Sequence, residues 1–165
     1  MQQKRFKQLD RRLTAIAELV REGTAVCDVG TDHAHLPCYL ARRGRNAKIY
    51  ASELNPKPLQ TARAQIKHQG VEVTLIQSDG LENVPPCDDV IIAGMGGELI
   101  AEIVGKMPSR FKSPSLRLIL QPMTRKEKML QSLNEIGFEV IEAKIVFEKN
   151  RRFFIYYCKI GESVK

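Results

Sequence analysis

Residues 25 to 43 read AVCDVGTDHAHLPCYLARR, and their pattern predicts the fold class. Ala25–Val29 is a short apolar run that ends at Gly30, and residues from about His33 to Arg43 carry apolar side chains at helical spacing. A buried strand, a glycine turn and a helix in this order form one βα unit. The same order recurs along the chain, so we expect a sheet of mostly parallel strands.

Apolar spacing and glycine or proline stops predict the remaining elements. The expected strands are 48–52, 71–77, 89–93, 116–120, 138–147 and 153–159, and the expected helices are 6–21, 56–69, a segment after 94–97 that ends near 104, and 124–135. Seven strands with helices between the first six predict an α/β fold with a doubly wound, mostly parallel sheet. The link 148–152 is too short for a crossover, so the last two strands form an antiparallel hairpin.

Length and composition indicate one globular domain. The chain has 165 residues, of which 43% are hydrophobic and 27% charged, and this excludes a disordered or collagen-like protein. No apolar run approaches the roughly 20 residues that span a bilayer, and the basic start lacks the apolar segment of a secretory signal. We therefore expect a cytoplasmic protein.

The four cysteines lie far apart without a CxxC pair, which predicts buried apolar side chains rather than a disulfide framework or a zinc site.

Charge favours an anionic partner, with nucleic acid as the leading candidate. Twenty-six Lys and Arg against 19 Asp and Glu leave a net charge of +7 and a pI near 9.4. The basic residues form groups at 4–12, 106–128 and 149–152, and the expected RNA contacts are Arg11, Arg12, Arg125, Lys126 and Lys128. Each group is equally consistent with a solvated face.

Acidic residues and glycines stand at the carboxyl ends of four successive predicted strands, where open α/β sheets bind ligands. They are Asp28, Gly30 and Asp32, then Glu53, then Asp79 and Gly80, then Gly94, Gly96 and Gly97. Glycine and aspartate are also common turn residues, but their presence at four strand ends favours a ligand site.

These acidic residues restrict the chemical class of the ligand. The turn that begins at Gly30 lacks the GxGxxG pattern, and Asp32 would repel phosphate there, which disfavours a nicotinamide-dependent oxidoreductase. Glu53 can accept from two ribose hydroxyls, Asp79 can accept from an exocyclic amine, and Asp28 or Asp32 can face a cationic centre. S-adenosylmethionine has all three features. Gly30 and Gly80 allow close approach of the backbone to such a ligand.

Five segments carry a family resemblance: DVGTDHAHLP at 28–37, SELNP at 52–56, SDGL at 78–81, IAGMGG at 92–97 and LQP at 120–122. In order and spacing they resemble the bacterial tRNA adenine-22 N1-methyltransferase family, over about residues 9–157. The resemblance implies a Rossmann-like class I methyltransferase domain. It also implies that the domain binds S-adenosylmethionine and methylates the ring N1 of an adenine in tRNA.

We expect the following roles for the strand-end residues. The residues expected to bind the cofactor are Asp28, Gly30, His33, Glu53, Leu54, Asp79, Gly80, Gly94 and Gly96. The expected catalytic residues are Asp32, which stabilises the charge on methylated adenine or takes a proton from its amine, Gln121, which bonds the base edge, and Met95, which supplies an apolar surface for the base. Structural roles stay open for Asp28, Gln121 and the glycine turn. We expect no metal, because His33 and His35 lack a third ligand at useful spacing.

Two features depart from the family pattern. Met123 follows Gln121-Pro122 where the family has asparagine, so an amide is missing from the expected site rim. The family also carries a helical extension after the last strand, and the sequence up to Lys165 contains no heptad segment. We therefore expect residues 1–165 to be one catalytic domain without that extension. These departures leave two alternatives: a methyltransferase that acts on another RNA or a small molecule, and an inactive RNA-binding module.

Overall fold

The computed structural model describes residues 7–162. The strands in this range are β1 Ala25–Val29, β2 Lys48–Glu53, β3 Thr74–Gln77, β4 Asp89–Gly96, β5 Arg117–Thr124, β6 Phe138–Glu148 and β7 Arg151–Ile160. The helices are α1 Arg11–Leu19, α2 His35–Arg43, α3 Pro56–Gln69, α4 Gly97–Gly105 and α5 Lys126–Glu135, with a short 3-10 helix at Ser109–Phe111. Within residues 7–162, none of the helices combines the length and the hydropathy that a membrane-spanning segment needs.

The seven strands form one sheet in the order β3-β2-β1-β4-β5-β7-β6. β1 to β5 pair in parallel, while β7 is antiparallel to both β5 and β6. The predicted doubly wound sheet with a C-terminal hairpin is therefore confirmed. The hairpin turns at Lys149 and Asn150, whose φ angles of 48° and 62° are those that a two-residue turn requires to follow the twist of the strands.

The structure corrects two details of the predicted topology. The segment 78–88 between β3 and β4 is a loop without a helix, and Pro85-Pro86 within it prevents helical hydrogen bonding. β4 continues to Gly96, where residues 94–97 were expected to form a free turn. It does so because its last residues keep pairing with β5, as far as Thr124, through a β-bulge.

Side chains on both faces of the sheet build the core, since consecutive residues of a buried strand point to opposite sides. Val90 and Ile92 pack on the face of the sheet that α4 and α5 cover. Ile91, the residue between them in the sequence, packs on the opposite face, against α1 and α2. Helix α3 packs against α2 through Ala62 and Cys38. All four cysteines are buried and carry free thiols, as predicted.

A buried ion pair fixes the amino end of β4. The carboxylate of Asp89 is fully buried and accepts from the Arg21 backbone N–H and from Arg21 Nε, both at 2.8 Å. The same guanidinium donates to the backbone carbonyl oxygens of Asp88 and Ser115. This network ties the end of α1 to the start of β4 and leaves the opposite, carboxyl ends of the strands for a site.

Candidate active site

Two cavities meet at the carboxyl ends of β1 and β4, where the strand order reverses along the sheet. One has a volume of about 490 Å³ and the other about 550 Å³. Gly30 and Met95 line both of them. Volumes of this size are typical of small-molecule sites, and the location is the one at which doubly wound sheets bind ligands.

The first cavity lies over the ends of β1, β2 and β3. Five of the nine predicted cofactor residues line it: Gly30, Glu53, Leu54, Asp79 and Gly80. Glu53 is only 8% exposed, and its Oε2 accepts from the Asn55 backbone N–H at 3.0 Å. Within the described chain this is the one hydrogen bond of the Glu53 carboxylate, so Oε1 retains its capacity to accept from a ligand. Leu54 is 50% exposed and adds apolar surface beside it.

Backbone and side-chain hydrogen bonds hold the loop that presents Asp79 and Gly80. The Ser52 hydroxyl donates to the carbonyl of Gly80 at 3.3 Å, and the Ser78 hydroxyl accepts from the Asn83 N–H at 3.0 Å. The guanidinium of Arg110 donates to the carbonyl oxygens of Leu81, Glu82 and Val84. Arg110 was expected to belong to a basic surface group, but the structure uses its charge to fix this loop.

Gly30 and Met95 form the wall between the cavities. Gly30 has a φ of +68°, and a Cβ at this position would lie 2.2 Å from the terminal methyl carbon of Met95. An alanine there would therefore combine a strained backbone with displacement of Met95. The Met95 side chain is long and adaptable, so this wall can adjust to a ligand that extends from one cavity into the other.

The second cavity is lined by three further residues that were predicted to bind the cofactor, namely Asp28, His33 and Gly94. Asp28 is buried, and its Oδ2 accepts from the Thr31 hydroxyl at 2.9 Å. Burial raises the pKa of Asp28 from 3.8 to about 7, against the opposing effects of the Thr31 hydrogen bond and the nearby charge of Arg12. Asp28 can therefore change its charge near neutral pH.

Asp32 and His33 form an exposed pair at this cavity. Asp32 Oδ2 lies 2.8 Å from His33 Nδ1, which makes Nδ1–H the donor, and the ring of His33 stacks on His35 with centroids 5.6 Å apart. Burial, followed by the charge of Lys7, lowers the pKa of His35. In the range 7–162 no three His, Cys, Asp or Glu residues come together as a metal site.

Gln121, predicted to contact the base edge, is fully buried and its amide is occupied within the protein. Its Oε1 accepts from Arg12 Nη1 at 2.7 Å, and its Nε2 donates to the carbonyl of Pro122 at 3.0 Å. Nε2 also lies 3.5 Å from the sulfur of Met123, which occupies the expected asparagine position. The pairing with Arg12 crosses 109 residues, and no local sequence signal could have found it.

The glycines of IAGMGG have two roles. Gly94 lines the second cavity, whereas Gly96 and Gly97 allow close packing of the backbone. Gly96 borders neither of the two cavities, and a Cβ there would lie 3.3 Å from the Thr124 hydroxyl. A Cβ on Gly97 would lie 2.4 Å from the carbonyl oxygen of Arg125. The start of α4 therefore approaches the segment before α5 so closely that only glycine fits. The requirement becomes visible only when β5 and α5 are in place.

A third, smaller cavity of about 160 Å³ lies between the start of α5 and β7, and Arg125, Lys126, Arg151 and Arg152 line it. Lys126 Nζ lies 4.7 Å from the centre of the Phe154 ring and 2.7 Å from a carboxylate oxygen of Glu127. Of the other expected RNA contacts, Arg11 and Lys128 are exposed on α1 and α5, and Arg12 lines the second cavity. The expected basic residues Lys4 and Arg5 lie outside the described residues.

Known proteins are similar to this sequence over most of its length. Residues 9–156 match the family described as "Methyltransferase domain". The tRNA (adenine(22)-N(1))-methyltransferase of Bacillus subtilis is 30% identical over 93% of this chain. The chain spans 66% of the length of that relative.

Solved structures extend the similarity to three dimensions. A B. subtilis M1A22 tRNA methyltransferase superposes with a TM-score of 0.87 at 30% identity, covering 94% of this chain and 68% of the other. A Streptococcus pneumoniae protein in complex with S-adenosyl-L-methionine gives a TM-score of 0.86 at 29% identity, covering 96% and 76%. The family match, the shared fold and the identity over most of the chain show that this protein belongs to the methyltransferase-domain family, within the group of tRNA (adenine-22 N1)-methyltransferases.

Proposed function

We propose that this protein transfers a methyl group from S-adenosylmethionine to N1 of an adenine in tRNA, at position 22. The observation that carries the proposal is the meeting of two cavities at Gly30 and Met95. One cavity offers acceptors for an adenosine, and the other combines carboxylates with Arg12 and Lys149. The B. subtilis relative is a tRNA (adenine(22)-N(1))-methyltransferase, which supports this reaction. The S. pneumoniae relative binds S-adenosyl-L-methionine, which supports this methyl donor.

The first cavity fits the adenosine part of S-adenosylmethionine. The Glu53 carboxylate is buried and has an oxygen still able to accept from ribose hydroxyls. Asp79 lines the same cavity and accepts from the adenine amine. Leu54 covers the adenine ring, while Gly30 and Gly80 let the backbone approach the ligand. When bound, this cofactor supplies an electrophilic methyl group on a positively charged sulfur.

The second cavity receives the acceptor adenine. N1 of adenine carries its own lone pair, so this chain needs only to expose the base and orient it, with Met95 as an apolar surface. Turning the base out of its stack costs a few kcal/mol, which contacts in the cavity offset. The Asp32 carboxylate, which is paired with His33, stabilises the positive charge that develops on the ring. Asp28, which lines the same cavity, adds a second acid near the cationic centre.

Basic side chains outside the two cavities dock the RNA. Arg11, Arg125, Lys126 and Lys128 contribute, and the cavity lined by Arg125, Lys126, Arg151 and Arg152 provides a concave cationic surface for the backbone. The tRNA substrate places the reaction in the cytoplasm. Replacing Arg125, Lys126 and Lys128 together with glutamine lowers tRNA affinity and leaves cofactor affinity unchanged. Filter binding and calorimetry measure the two, and wild-type tRNA affinity in the variant contradicts this docking surface.

Transfer of labelled methyl from S-adenosylmethionine to tRNA that lacks the modification tests the proposed function. After digestion, the account expects the label in N1-methyladenosine. Label in another nucleoside would assign a different acceptor atom. Label in a small metabolite, or none from a sample that binds the cofactor, would replace the proposal with a different acceptor or with an inactive RNA-binding module.

A further inference from the structure

Arg12 is held at the wall of the second cavity by Gln121 and Phe153. Its Nη1 donates to Gln121 Oε1 at 2.7 Å, and its guanidinium carbon lies 5.8 Å from the centre of the Phe153 ring. A Cβ on Gly94 would lie 3.6 Å from the same Nη1. Arg151 lies 5.3 Å from the centre of the same Phe153 ring, so the aromatic ring links two cations. The position of the Arg12 charge is therefore defined by elements far apart in sequence.

The Gln121 amide is oriented toward Arg12 by its own hydrogen bond. Its NH2 group donates to the Pro122 carbonyl oxygen, so the amide oxygen faces Arg12. This is the orientation that the pair requires, because a guanidinium can only donate hydrogen bonds. Gln121 is fully buried, so a ligand in the cavity cannot reach its amide without displacing Arg12. Gln121 therefore acts on Arg12 rather than on a base.

Arg12 keeps most of its hydrogen-bonding capacity. An arginine has five N–H donors, and within the described part of the chain the bond to Gln121 is the one hydrogen bond from its guanidinium. Arg12 makes no ion pair with a described carboxylate, although Asp28 and Asp32 line the same cavity. Lys7 and Lys149 line that cavity as well. A fixed guanidinium with open donors, in a cavity that two lysines also line, suits a phosphate group.

We propose that Arg12 binds the phosphodiester beside the acceptor adenosine, and that Gln121 and Phe153 are positioning residues that hold Arg12 for this contact. The inference rests on the proposed function, which places the acceptor nucleotide in the second cavity. A base turned into that cavity brings its own backbone to the cavity mouth. Arg12 thereby fixes the nucleotide relative to the junction at Gly30 and Met95, where a shift of about 1 Å costs a large factor in rate.

Arg12→Gln tests the phosphate contact through the salt dependence of tRNA binding. Loss of one phosphate contact reduces the slope of log affinity against log salt by roughly 0.7 to 0.9, and lowers affinity by about tenfold or more. Arg45→Gln is the matched control, because it removes the same charge from a side chain that is 57% exposed and pairs with Glu22 near the opposite strand ends. Equal slopes for Arg12→Gln and the wild-type protein would overturn the proposal.

Gln121→Met tests the positioning role, because methionine has a similar shape and cannot accept the Arg12 hydrogen bond well. The charge remains, so the salt slope stays near the wild-type value, while kcat for tRNA methylation falls about tenfold with cofactor affinity unchanged. Adding Arg12→Gln to Gln121→Met should cost no more than Arg12→Gln alone. Additive losses would show that Gln121 does not act through Arg12. Phe153→Leu gives a second test of the same kind if the Gln121 variant is unstable.

These experiments distinguish a failure of the proposed reaction from a failure of the Arg12 inference. A wild-type protein that binds tRNA without forming N1-methyladenosine overturns the proposed reaction, and the salt-slope comparison still decides whether Arg12 contacts phosphate. A wild-type protein that methylates tRNA while Arg12→Gln behaves like Arg45→Gln overturns the Arg12 inference alone. A wild-type protein that does not bind tRNA overturns both.

Discussion

Substitution of Glu53 tests the assignment of the first cavity to an adenosine. One carboxylate oxygen is held by the Asn55 N–H at 3.0 Å, so a glutamine at this position keeps its amide oxygen there and turns its NH2 group to the cavity. A charged hydrogen bond to a ribose hydroxyl then becomes a neutral one, a loss of about 1 to 1.5 kcal/mol. This corresponds to about 5- to 13-fold weaker binding. Glu53→Ala removes the acceptor altogether and should cost about 10- to 100-fold.

Titration calorimetry with S-adenosylmethionine and with S-adenosylhomocysteine measures this effect. Both ligands contain the same ribose, so Glu53→Gln should weaken both by the same factor. Glu72→Gln is the control, because Glu72 is exposed before β3, at the opposite end of the sheet, and its removal changes the net charge equally. Wild-type affinity in Glu53→Ala, in a sample with a normal unfolding transition, would refute the ribose contact. Weakening of S-adenosylmethionine alone would instead assign Glu53 to the sulfonium charge.

Three other substitutions test separate parts of the site and fold. Asp32→Ala should lower kcat for methyl transfer more than cofactor affinity, and equal losses in kinetics and calorimetry would make Asp32 a binding residue. Burial raises the pKa of Asp28 to about 7, so ionising this carboxyl costs more in the folded than in the unfolded protein. The free energy of unfolding of the wild-type protein should therefore fall by up to about 4 kcal/mol between pH 4 and pH 8, and Asp28→Asn should lack this contribution. Urea unfolding at both pH values checks this, and parallel losses in the two proteins would contradict it. Arg21→Ala leaves the buried Asp89 carboxylate unpaired and should lower the free energy of unfolding by about 3 to 5 kcal/mol, whereas a change below 1 kcal/mol would count against that pairing.

Local sequence patterns predicted most of the sheet and the strand ends that form the site. The apolar run at 25–29 and the helix over 56–69 have the predicted bounds, and Gly70 ends that helix in the left-handed conformation. These features depend on side-chain spacing and on glycine, which the sequence displays directly. The acids at the ends of β1, β2 and β3 line the cavities for the same reason, because parallel strands bring their carboxyl ends to one edge.

Features that depend on distant pairing were not predictable. β4 continues through Gly96 because β5 lies beside it, and a single segment carries no sign of that neighbour. The placement of the Met95 methyl against Gly30, and the hydrogen bond from Arg12 to Gln121, join segments that only the fold brings together. Residue type alone suggested that Gln121 contacts a base, whereas its burial makes it a partner of Arg12.

Methylation of adenine 22 is tested most directly with two tRNA transcripts that differ only at position 22, one with adenine and one with guanine. The protein and labelled S-adenosylmethionine are incubated with each transcript, and methyl incorporation is measured. The account predicts incorporation into the adenine transcript, recovered as N1-methyladenosine, and none above background into the guanine transcript. Equal incorporation into both, or none into either by protein that binds the cofactor, would contradict it.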